Sequence, residues 1–564
     1  METKDRITPA VKFFRAIELG VSDFGELGMA SQRIMLSILV LICGLTTLAR
    51  RHHIALRPAI TKLDYRVSAF AQLVALSVLF YSVYSFKNVA FSAGLEVPTE
   101  HFIRHYLWIV GFGVTLLLSL YQIIVVPQDA EEGGSIGKAS LAIPLYATMA
   151  LISGVYFLYV GHPAGIGIYL NQMMELSQLF LNVGLYVWIG MLLKRTELAQ
   201  KVFNIFRPFN LPPEMLAVAV VALAAVPTAY TGGSGIFVIA VGGLIYHELR
   251  RAGARRQLAL AATAMSGSLG VVLRPCLLVV IVAALNNEVT TDQLFGWGVK
   301  VFFLTTVLFA FFALLTRQSV PEANAIKRDN SLVWPEFKEA LKPLIPYVIL
   351  ISITLVIYAV LLNAYLDEFS APIILPVLLL VVLFYERINQ EKGILKRENM
   401  NADYVEKRLT DGWMDIRHGN DSLEKTVREA TTETTGHIGA LLMLMGMSVA
   451  LGGVIERAEI MSFVPAEFSS IWIAMALLVT ILVIIGMVMD PYGAVILVTT
   501  TLTTVAYQSG INPIHFWMVT LVAFELGYLS PPVALNHLLT RQVVGEEEVE
   551  LSKKEGHNFW YRNE

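Results

Sequence analysis

The sequence predicts an all-α polytopic membrane protein with about 14 transmembrane or hairpin segments. Hydrophobic residues make up 55% of the 564 residues, charged residues only 15%, and long apolar runs recur from residue 32 to residue 540. A soluble domain carries about 25% charged residues, so most of this chain is not suited to water. Because backbone groups inside lipid must bond to one another, the apolar runs are expected to be helices.

Composition also excludes several function classes. The net charge of −3 argues against nucleic acid as a partner. The two cysteines, Cys43 and Cys276, lie 233 positions apart in apolar runs, which indicates neither a disulfide framework nor a cysteine metal site. The mean hydropathy of +0.62 makes the lipid bilayer the expected surroundings.

The first 30 residues mix charged and apolar side chains at near-helical spacing. They contain neither the apolar core nor the small-residue cleavage site of a signal peptide. An interfacial helix over residues 8–30 is therefore predicted, with a frayed tail as the alternative.

The membrane segments follow from run length, because about 20 apolar residues cross the hydrocarbon core as a helix. The runs that reach or approach this length are 32–49, 67–88, 104–127, 140–161, 173–194, 214–246, 258–285, 298–316, 343–364, 371–385, 437–454, 470–490, 492–508 and 513–540. Gly and Pro interrupt several of these runs, so the number of spans remains open.

Loop charges predict the orientation of the spans. Lys and Arg cluster in residues 50–66, 194–207, 250–256 and 317–342, and these loops are expected to be cytoplasmic. Loops 89–103 and 286–297 are poor in Lys and Arg and are expected on the other side. Loop 128–139 is acidic, yet the parity of the spans makes it cytoplasmic.

The chain divides into five parts by composition. Residues 1–130 hold the interfacial helix and about three spans, and residues 131–385 and 437–545 are two hydrophobic halves. Residues 386–436 hold nine Lys or Arg and eleven Asp or Glu, which predicts a solvated cytoplasmic connector. Residues 546–564 form a polar C-terminal tail.

An internal repeat relates the two hydrophobic halves. A shift of 257 positions places Gly270 on Gly527, Pro275 on Pro532 and Ser234 on Pro491, so the Gly-rich residues 231–235 overlap the break residues 489–493. Each half thus has a broken helix and a second broken segment about 40 residues later. Matched breaks in two hydrophobic halves are typical of a transporter binding site at the membrane midplane. Helix packing through glycine with ordinary proline kinks is the alternative.

Short motifs in the two halves carry a resemblance to a known family. They are Gly190–Leu193, Arg195, Leu198, Gly233–Gly235, Ser266–Gly270, Gly486–Pro491, Asn512–Phe516 and Glu525–Asn536. These motifs, above all those of the second half, resemble the large membrane subunit of tripartite ATP-independent periplasmic (TRAP) transporters. The resemblance covers residues 140–545 and includes re-entrant hairpins beside the broken helices. Residues 1–130 resemble the small membrane subunit, fused in front, through the charged run 50–56.

The resemblance implies a function as a permease rather than an enzyme. Such a permease takes up an acidic solute, often a carboxylate, that a periplasmic solute-binding protein delivers across the cell inner membrane. Sodium ions are the coupling ions, no cofactor is used, and a transport domain moves against a scaffold as an elevator. A stand-alone ion-coupled carboxylate transporter of related fold is the first alternative, and an intramembrane enzyme is the second.

The resemblance also assigns site residues by position. One sodium site is expected around Gly232, Gly233, Ser234, Ser266, Gly267 and Gly270. The other is expected around Gly486, Asp490, Gly527, Ser530 and Pro531. Substrate binding is predicted for Arg274, Ser234 and Ser268, and for Arg274 the prediction comes from its charge rather than from the resemblance.

Three charged residues near the breaks have two interpretations each. Arg274 stands where the family usually has proline, and it is either a clamp for a substrate carboxylate or part of an ion pair with Asp490 or Glu525. Asp490 and Glu525 are either cation-site carboxylates or groups that cap a half-helix N-terminus.

Overall fold

The computed structural model describes nearly all of the predicted membrane segments. Its described residues are 31–92, 99–231, 234–317, 333–361, 363–367, 370–397, 423–459, 468–531 and 534–555, with isolated positions before residue 31 and Pro465. The expected interfacial helix over residues 8–30 therefore lies largely outside the described residues.

The described chain is built of α-helices joined by short loops. The helices of residues 1–251 are α1 Gln32–Arg50, α2 Lys62–Ser92, α3 Thr99–Ile124, α4 Ile136–Ser140, α5 Leu145–Tyr159, α6 Gly165–Glu175, α7 Ser177–Lys194, α8 Leu198–Asn204, α9 Pro213–Thr231 and α10 Ser234–Arg251. The later helices are α11 Arg256–Met265, α12 Leu277–Leu285, α13 Thr291–Leu315, α14 Val333–Leu341, α15 Ile345–Leu361, α16 Ala371–Arg397, α17 Leu423–Arg457, α18 Ile471–Val488, α19 Pro491–Gln508, α20 Pro513–Tyr528, α21 Leu535–Val544 and α22 Glu546–Glu555.

This architecture confirms the prediction of an all-α polytopic membrane protein. Within the described residues, ten helices are long and apolar enough to cross a membrane, or eleven when the bent pair α11–α12 is taken as one span. The apolar runs 214–246 and 513–540 each contain two helices, because Gly or Pro interrupts them. The expected number of 14 segments therefore stays a prediction.

The chain forms two compact units. The first contains residues 1–53, 57–181 and 439–454, and the second contains residues 54–56, 182–438 and 455–564. The long helix α17 contributes its middle to the first unit and its ends to the second.

The first unit packs around α2, which contacts α3, α4, α5 and α6. Small residues bring these helices close together. A Cβ atom on Gly167 would lie 2.9 Å from Phe86 Cβ. The backbone N–H of Gly167 donates to Ser82 Oγ at 3.1 Å. Inside the bundle Tyr146 Oη donates to Gln72 at 3.0 Å. Close approach through small residues and buried polar bonds is how helices associate where lipid removes the hydrophobic driving force.

The second unit holds the repeated helices. Its apolar core in the first repeat half lies among α9, α10 and α11, and includes Val221, Phe237 and Leu258. At one end of this unit α7 and α17 are joined by Lys194–Glu433 at 2.6 Å and by Trp188 Nε1–Thr431 Oγ1 at 3.1 Å.

The two predicted polar segments are partly helical. The ends of the 386–436 connector continue α16 and begin α17, and residues 398–422 lie outside the described part. Residues 546–555 of the predicted C-terminal tail form α22, whose Ser552 is buried. The polar composition of residues 546–564 does not by itself predict that α22 packs on other helices, because the partners of α22 lie about 300 positions away in sequence.

Candidate functional site

The helix boundaries of the second unit repeat along the chain. Helices α9 and α10 span 213–231 and 234–251, and α18 and α19 span 471–488 and 491–508, which is a shift of 257 or 258 positions. Helices α11 and α12 correspond in the same way to α20 and α21. Each half therefore contains two helix breaks in the same order.

The upstream break of the second half, between α18 and α19, is defined by a helix cap. Met489 is extended, Asp490 is the N-cap residue, and Pro491 is the first residue of α19. The Oδ1 atom of Asp490 accepts hydrogen bonds from the backbone N–H of Tyr492 at 2.9 Å and of Gly493 at 3.2 Å. Aspartate at an N-cap and proline at N1 are favoured there, so Asp490 caps α19, and its role as a cation ligand stays a prediction.

The upstream break of the first half lies between α9 and α10. Helix α9 ends at Thr231 and α10 begins at Ser234. The predicted ligands Gly232 and Gly233 lie outside the described residues, as does the side chain of Ser234.

The downstream break of the first half lies between α11 and α12. Residues 269–272 form one turn of 3-10 helix, and the segment bends by 41° before α12. The Oγ of Ser266 donates to Thr263 O at 2.7 Å, and Ser266 O accepts from Thr228 Oγ1 at 3.1 Å. Ser266 and Gly267 are buried, so the segment beside the break is held by hydrogen bonds to α9 and α11.

The downstream break of the second half lies between α20 and α21. Ser530 Oγ donates to Leu526 O at 2.7 Å, and Pro531 is exposed. Pro532, which the repeat pairs with Pro275, lies outside the described residues.

Gly270 and Gly527 occupy equivalent places in the two halves. Gly270 packs against α9 and Gly527 against α18, the helices that end at the upstream breaks. A Cβ atom on Gly270 would lie 2.9 Å from the backbone nitrogen of Ala229, and one on Gly527 would lie 2.7 Å from Gly486 Cα. Ala229 and Gly486 are themselves 257 positions apart. Only a residue without a side chain permits this approach of backbone to backbone, which explains glycine at both sites.

The two halves pack reciprocally. Helix α10 of the first half contacts α21 of the second, and α19 of the second half contacts α12 of the first. A Cβ atom on Gly235 would lie 2.5 Å from Leu539, and Asn286 Nδ2 donates to Thr499 Oγ1 at 3.2 Å. Each helix that follows an upstream break thus packs on the helix that follows the downstream break of the other half.

Ser268, a predicted substrate residue, joins the halves directly. Asn536 Nδ2 of α21 donates to Ser268 Oγ at 3.2 Å, and both residues are buried. Because the two residues are 268 positions apart, no local sequence pattern indicates this contact.

Arg274 has a different partner from those expected. Its guanidinium forms an ion pair with Asp292 at the start of α13 and lies 5.0 Å from the centre of the Phe295 ring. About half of its side chain is exposed. The loop charges predict that residues 286–297 lie outside the membrane, so Asp292 was not among the expected partners of Arg274.

A group of buried polar side chains surrounds the second-half break, and the sequence analysis found only part of it. Asp490, Tyr492, Glu525 and Tyr528 are each less than 10% exposed. The Tyr528 ring lies within electrostatic range of the other three. The sequence does not predict Tyr492 and Tyr528 as site residues, because single aromatic residues in apolar helices are usually core residues.

The helices beside the breaks form one arrangement in the second unit. Within the described residues, no group of three His, Cys, Asp or Glu side chains is placed to hold a metal ion. The helices that follow the four breaks pack on one another in pairs, α10 on α21 and α19 on α12. Broken helices of this kind leave backbone groups available to solutes and ions.

Comparison with known proteins gives the family. Residues 138–555 match the family described as "Tripartite ATP-independent periplasmic transporter, DctM component". The chain is 25% identical over 129 residues, 22% of its length and 20% of the relative's, to the isethionate TRAP transporter permease protein DctMQ of Oleidesulfovibrio alaskensis. The chain thus spans about a fifth of that relative.

Two C4-dicarboxylate TRAP transporter large permease proteins match a longer part. The DctM of Vibrio cholerae is 21% identical over 338 residues, and that of Pseudomonas aeruginosa is 24% identical over 336 residues. Each match covers 58% of this chain and 69% of the relative.

The family match extends over roughly three quarters of the sequence, well beyond the second-half motifs. TRAP permeases lie in the inner membrane, and the apolar helices of this chain fit a multi-pass protein there. The chain belongs to the DctM family of tripartite ATP-independent periplasmic transporters.

Proposed function

We propose that this chain is the fused membrane component of a TRAP transporter that takes up an acidic solute together with sodium ions. The observation that carries the proposal is the reciprocal packing of α10 on α21 and of α12 on α19 around the four helix breaks. Such breaks place helix N-termini beside an anion and unwound carbonyls beside a cation.

The solute class is inferred from two sources. The related proteins carry the names of C4-dicarboxylate and isethionate permeases, and both solutes are anions. The N-terminus of α10 at Ser234, beside a first-half break that carries no carboxylate, offers the positive end of a helix dipole. An acidic solute delivered by a periplasmic binding protein is the proposal that fits both.

Sodium coupling is supported by the chemistry of the breaks. Carbonyl and hydroxyl oxygens are the groups that hard cations select, and Gly, Ser and Pro at the breaks supply them. The proposed sites are those around Ser266, Gly267 and Gly270 in the first half and around Gly486, Asp490 and Gly527 in the second. An elevator movement of the repeated helices is the proposed mechanism.

Uptake in proteoliposomes tests the proposal. We expect uptake to require an inward sodium gradient and an added binding protein, and to be unaffected by ATP. Equal uptake in potassium-only buffer would refute sodium coupling. Uptake without any binding protein would favour the alternative, a stand-alone ion-coupled carboxylate transporter.

A further inference from the structure

Residues 195–212, the α7–α9 link, join α7 to the first of the broken helices. The link contains the short helix α8 and one turn of 3-10 helix over Arg207–Phe209. At its start, Arg195 pairs with Glu429 and Glu433 of α17 at 3.2 and 3.1 Å. Any movement of α9 relative to α7 must therefore be accommodated within or beside this link.

A buried carboxylate holds the first part of the link. Glu386 of α16 is 6% exposed, and its Oε1 accepts from the backbone N–H of Glu197 at 3.0 Å. The same oxygen accepts from the buried Tyr347 hydroxyl of α15 at 2.8 Å, and Lys201 Nζ donates to that hydroxyl at 3.0 Å. Helix α8 and its N-cap residue are thus bonded to both α15 and α16. Breaking these bonds leaves buried polar groups without partners, which is costly.

The opposite face of α8 packs on the first repeat half. Ala199 and Phe203 contact the apolar core of α9, α10 and α11. Leu198 packs instead on the apolar cluster around Tyr347. Helix α8 therefore has one face on the broken helices and one on α15 and α16, and a movement between these two groups must shift one of the faces.

The two faces differ in how firmly they are held. The α10 side has apolar contacts, which have no preferred direction, and the ion pair of Arg207 with Glu248 at 3.1 Å. About half of the Arg207 side chain is exposed, and exposed ion pairs contribute little. The α15–α16 side has directional hydrogen bonds to a buried carboxylate. The α10 side is therefore the one that can slide.

The end of the link supports the same division. The Phe209 ring lies 5.4 Å from that of Phe337 in α14, and α8 contacts residues 342–344. Asn210 then adopts a left-handed conformation with φ at 42°, and Pro212 precedes α9. The part of the link that is seated on α14, α15 and α16 thus ends at a turn before the broken helix.

We propose that Glu386 is a positioning residue that fixes α8 to α15 and α16, so that α10 slides over a stationary α8 when the broken helices move. Glu386 acts through the Tyr347 hydroxyl and the Glu197 N–H. Without this anchor α8 follows the broken helices, which lowers the rate of their movement and leaves the affinity for solute unchanged. The movement itself rests on the proposed function.

Paired cysteines in the full chain test which face moves. The anchor pair is Lys201→Cys with Tyr347→Cys, and the sliding pair is Arg207→Cys with Glu248→Cys. Each pair is joined by a bifunctional thiol reagent that spans the two replaced side chains, and single substitutions treated with the reagent are the controls. Both native cysteines are buried.

Joining the two pairs should have opposite effects on uptake in proteoliposomes. The anchor pair should transport at least about threefold faster when joined than when unjoined, because the covalent link replaces the anchor. The sliding pair should lose uptake at least about tenfold when joined. Arrest of the joined anchor pair, or normal uptake by the joined sliding pair, overturns the inference.

Hydrogen exchange over residues 197–204 tests the anchor without uptake. Exchange should rise at least about threefold in Tyr347→Phe and in Glu386→Ala, and Glu386→Gln, which keeps an acceptor oxygen, should restore most of the protection. The matched control is Tyr385→Phe, since the Tyr385 ring meets that of Tyr347 edge-on but its hydroxyl takes no part in the anchor. Equal exchange in all four variants and the parent overturns the inference.

Uptake kinetics separate positioning from mere support of the fold. Per folded protein, Glu386→Ala should have a lower maximum rate at an unchanged KM, and Glu386→Gln should recover most of that rate. A raised KM in Glu386→Ala would overturn the positioning role. A parent that takes up no solute refutes the proposed function, and hydrogen exchange then still decides whether Glu386 fixes α8.

Discussion

Gly527 and Gly486 pack backbone to backbone, so a Cβ atom on Gly527 would lie 2.5 Å from the carbonyl carbon of Gly486. The repeat places the same contact in the first half, between Gly270 and the backbone of α9 at Ala229. Gly270 and Gly527 thus keep the downstream break of each half close to the upstream break of the same half. The repeat in the sequence therefore corresponds to a repeated backbone contact at the site.

Gly527→Ala is expected to lower both transport and stability. Alanine favours a helix over glycine by up to ~1 kcal/mol, but its methyl group would collide with backbone atoms that cannot move aside. Overpacking of this kind costs about 1–3 kcal/mol. Thermal unfolding and proteoliposome uptake measure the effect.

Gly296→Ala is the matched control, since Gly296 lies in α13 and a Cβ atom there would meet nothing within 4 Å. That variant should keep the parent's melting temperature or exceed it. A Gly527→Ala protein with unchanged stability and uptake would show that the two breaks do not need this contact.

Substitutions of Asp490 separate capping from charge. Asn is as good an N-cap as Asp, so Asp490→Asn should retain the stability of α19, whereas Asp490→Ala should lose about 0.5–2 kcal/mol. If the carboxylate serves transport, Asp490→Asn will reduce uptake despite normal stability. Comparable uptake by Asp490→Asn and the parent would limit Asp490 to its structural cap.

Substitution of Arg274 is expected to change stability and uptake only slightly, because its ion pair with Asp292 is half-exposed. The sequence alone predicts a larger effect, since it assigns Arg274 to substrate binding. Half-exposed pairs contribute about 0–1 kcal/mol, so a double-mutant cycle with Arg274→Gln and Asp292→Asn should give a coupling energy within that range. Uptake by Arg274→Gln should stay close to the parent's. A large rise in the apparent KM for solute, with stability preserved, would instead support the substrate-clamp interpretation.

The sequence predicts the fold class well because each apolar run carries its own evidence. The breaks were also predictable, since Pro491 and Gly527 act on the local backbone. The pairs Ser268–Asn536 and Arg274–Asp292 were not, because they depend on how helices meet in three dimensions. Tyr528 was missed for a related reason: only the structure shows that its hydroxyl is buried beside two carboxylates.

The buried side chain of His53 is expected to make the protein less stable at acidic pH. It lies between α1 and α2, and both ring nitrogens are buried without a hydrogen-bond partner in the described part of the chain. Burial, together with His52 and Arg51, lowers the pKa of His53 to about 3, against about 6.5 in an unfolded chain. Between those two values only the unfolded chain binds the proton, so the free energy of unfolding falls as the pH falls below 6.5.

Melting temperatures from pH 7 to pH 5 check this expectation. A single such histidine contributes a slope of about 1.4 kcal/mol per pH unit within that window. His53→Gln should flatten the dependence, whereas His162→Gln, at an exposed loop position, serves as the control. An equal pH slope in His53→Gln and the parent would contradict the prediction.

The C-terminal helix α22 is held to the ends of α10 and α11 by charged groups. Arg256 Nε donates to Glu548 Oε2 at 2.8 Å, and the Tyr246 hydroxyl donates to the same carboxylate. The Tyr246 hydrogen bond and the Arg256 charge lower the pKa of Glu548, so it accepts these bonds as a carboxylate at neutral pH. Gln257 Nε2 adds a buried hydrogen bond to Ser552 O at 2.7 Å.

Glu548→Gln is therefore expected to loosen α22 while the membrane helices stay folded. Hydrogen bonds to a charged group contribute about 1.5–3 kcal/mol, so amide protection over residues 546–555 should fall about tenfold or more in hydrogen exchange. Glu547→Gln is the matched control, because Glu547 is the neighbouring residue and faces solvent. Acidification toward the lowered pKa of Glu548 should loosen the parent in the same way, since protonation removes the charge that Arg256 and Tyr246 contact. Equal exchange over α22 in the two variants would show that the helix is held by packing around Ser552 and Gln257 rather than by the Glu548 carboxylate.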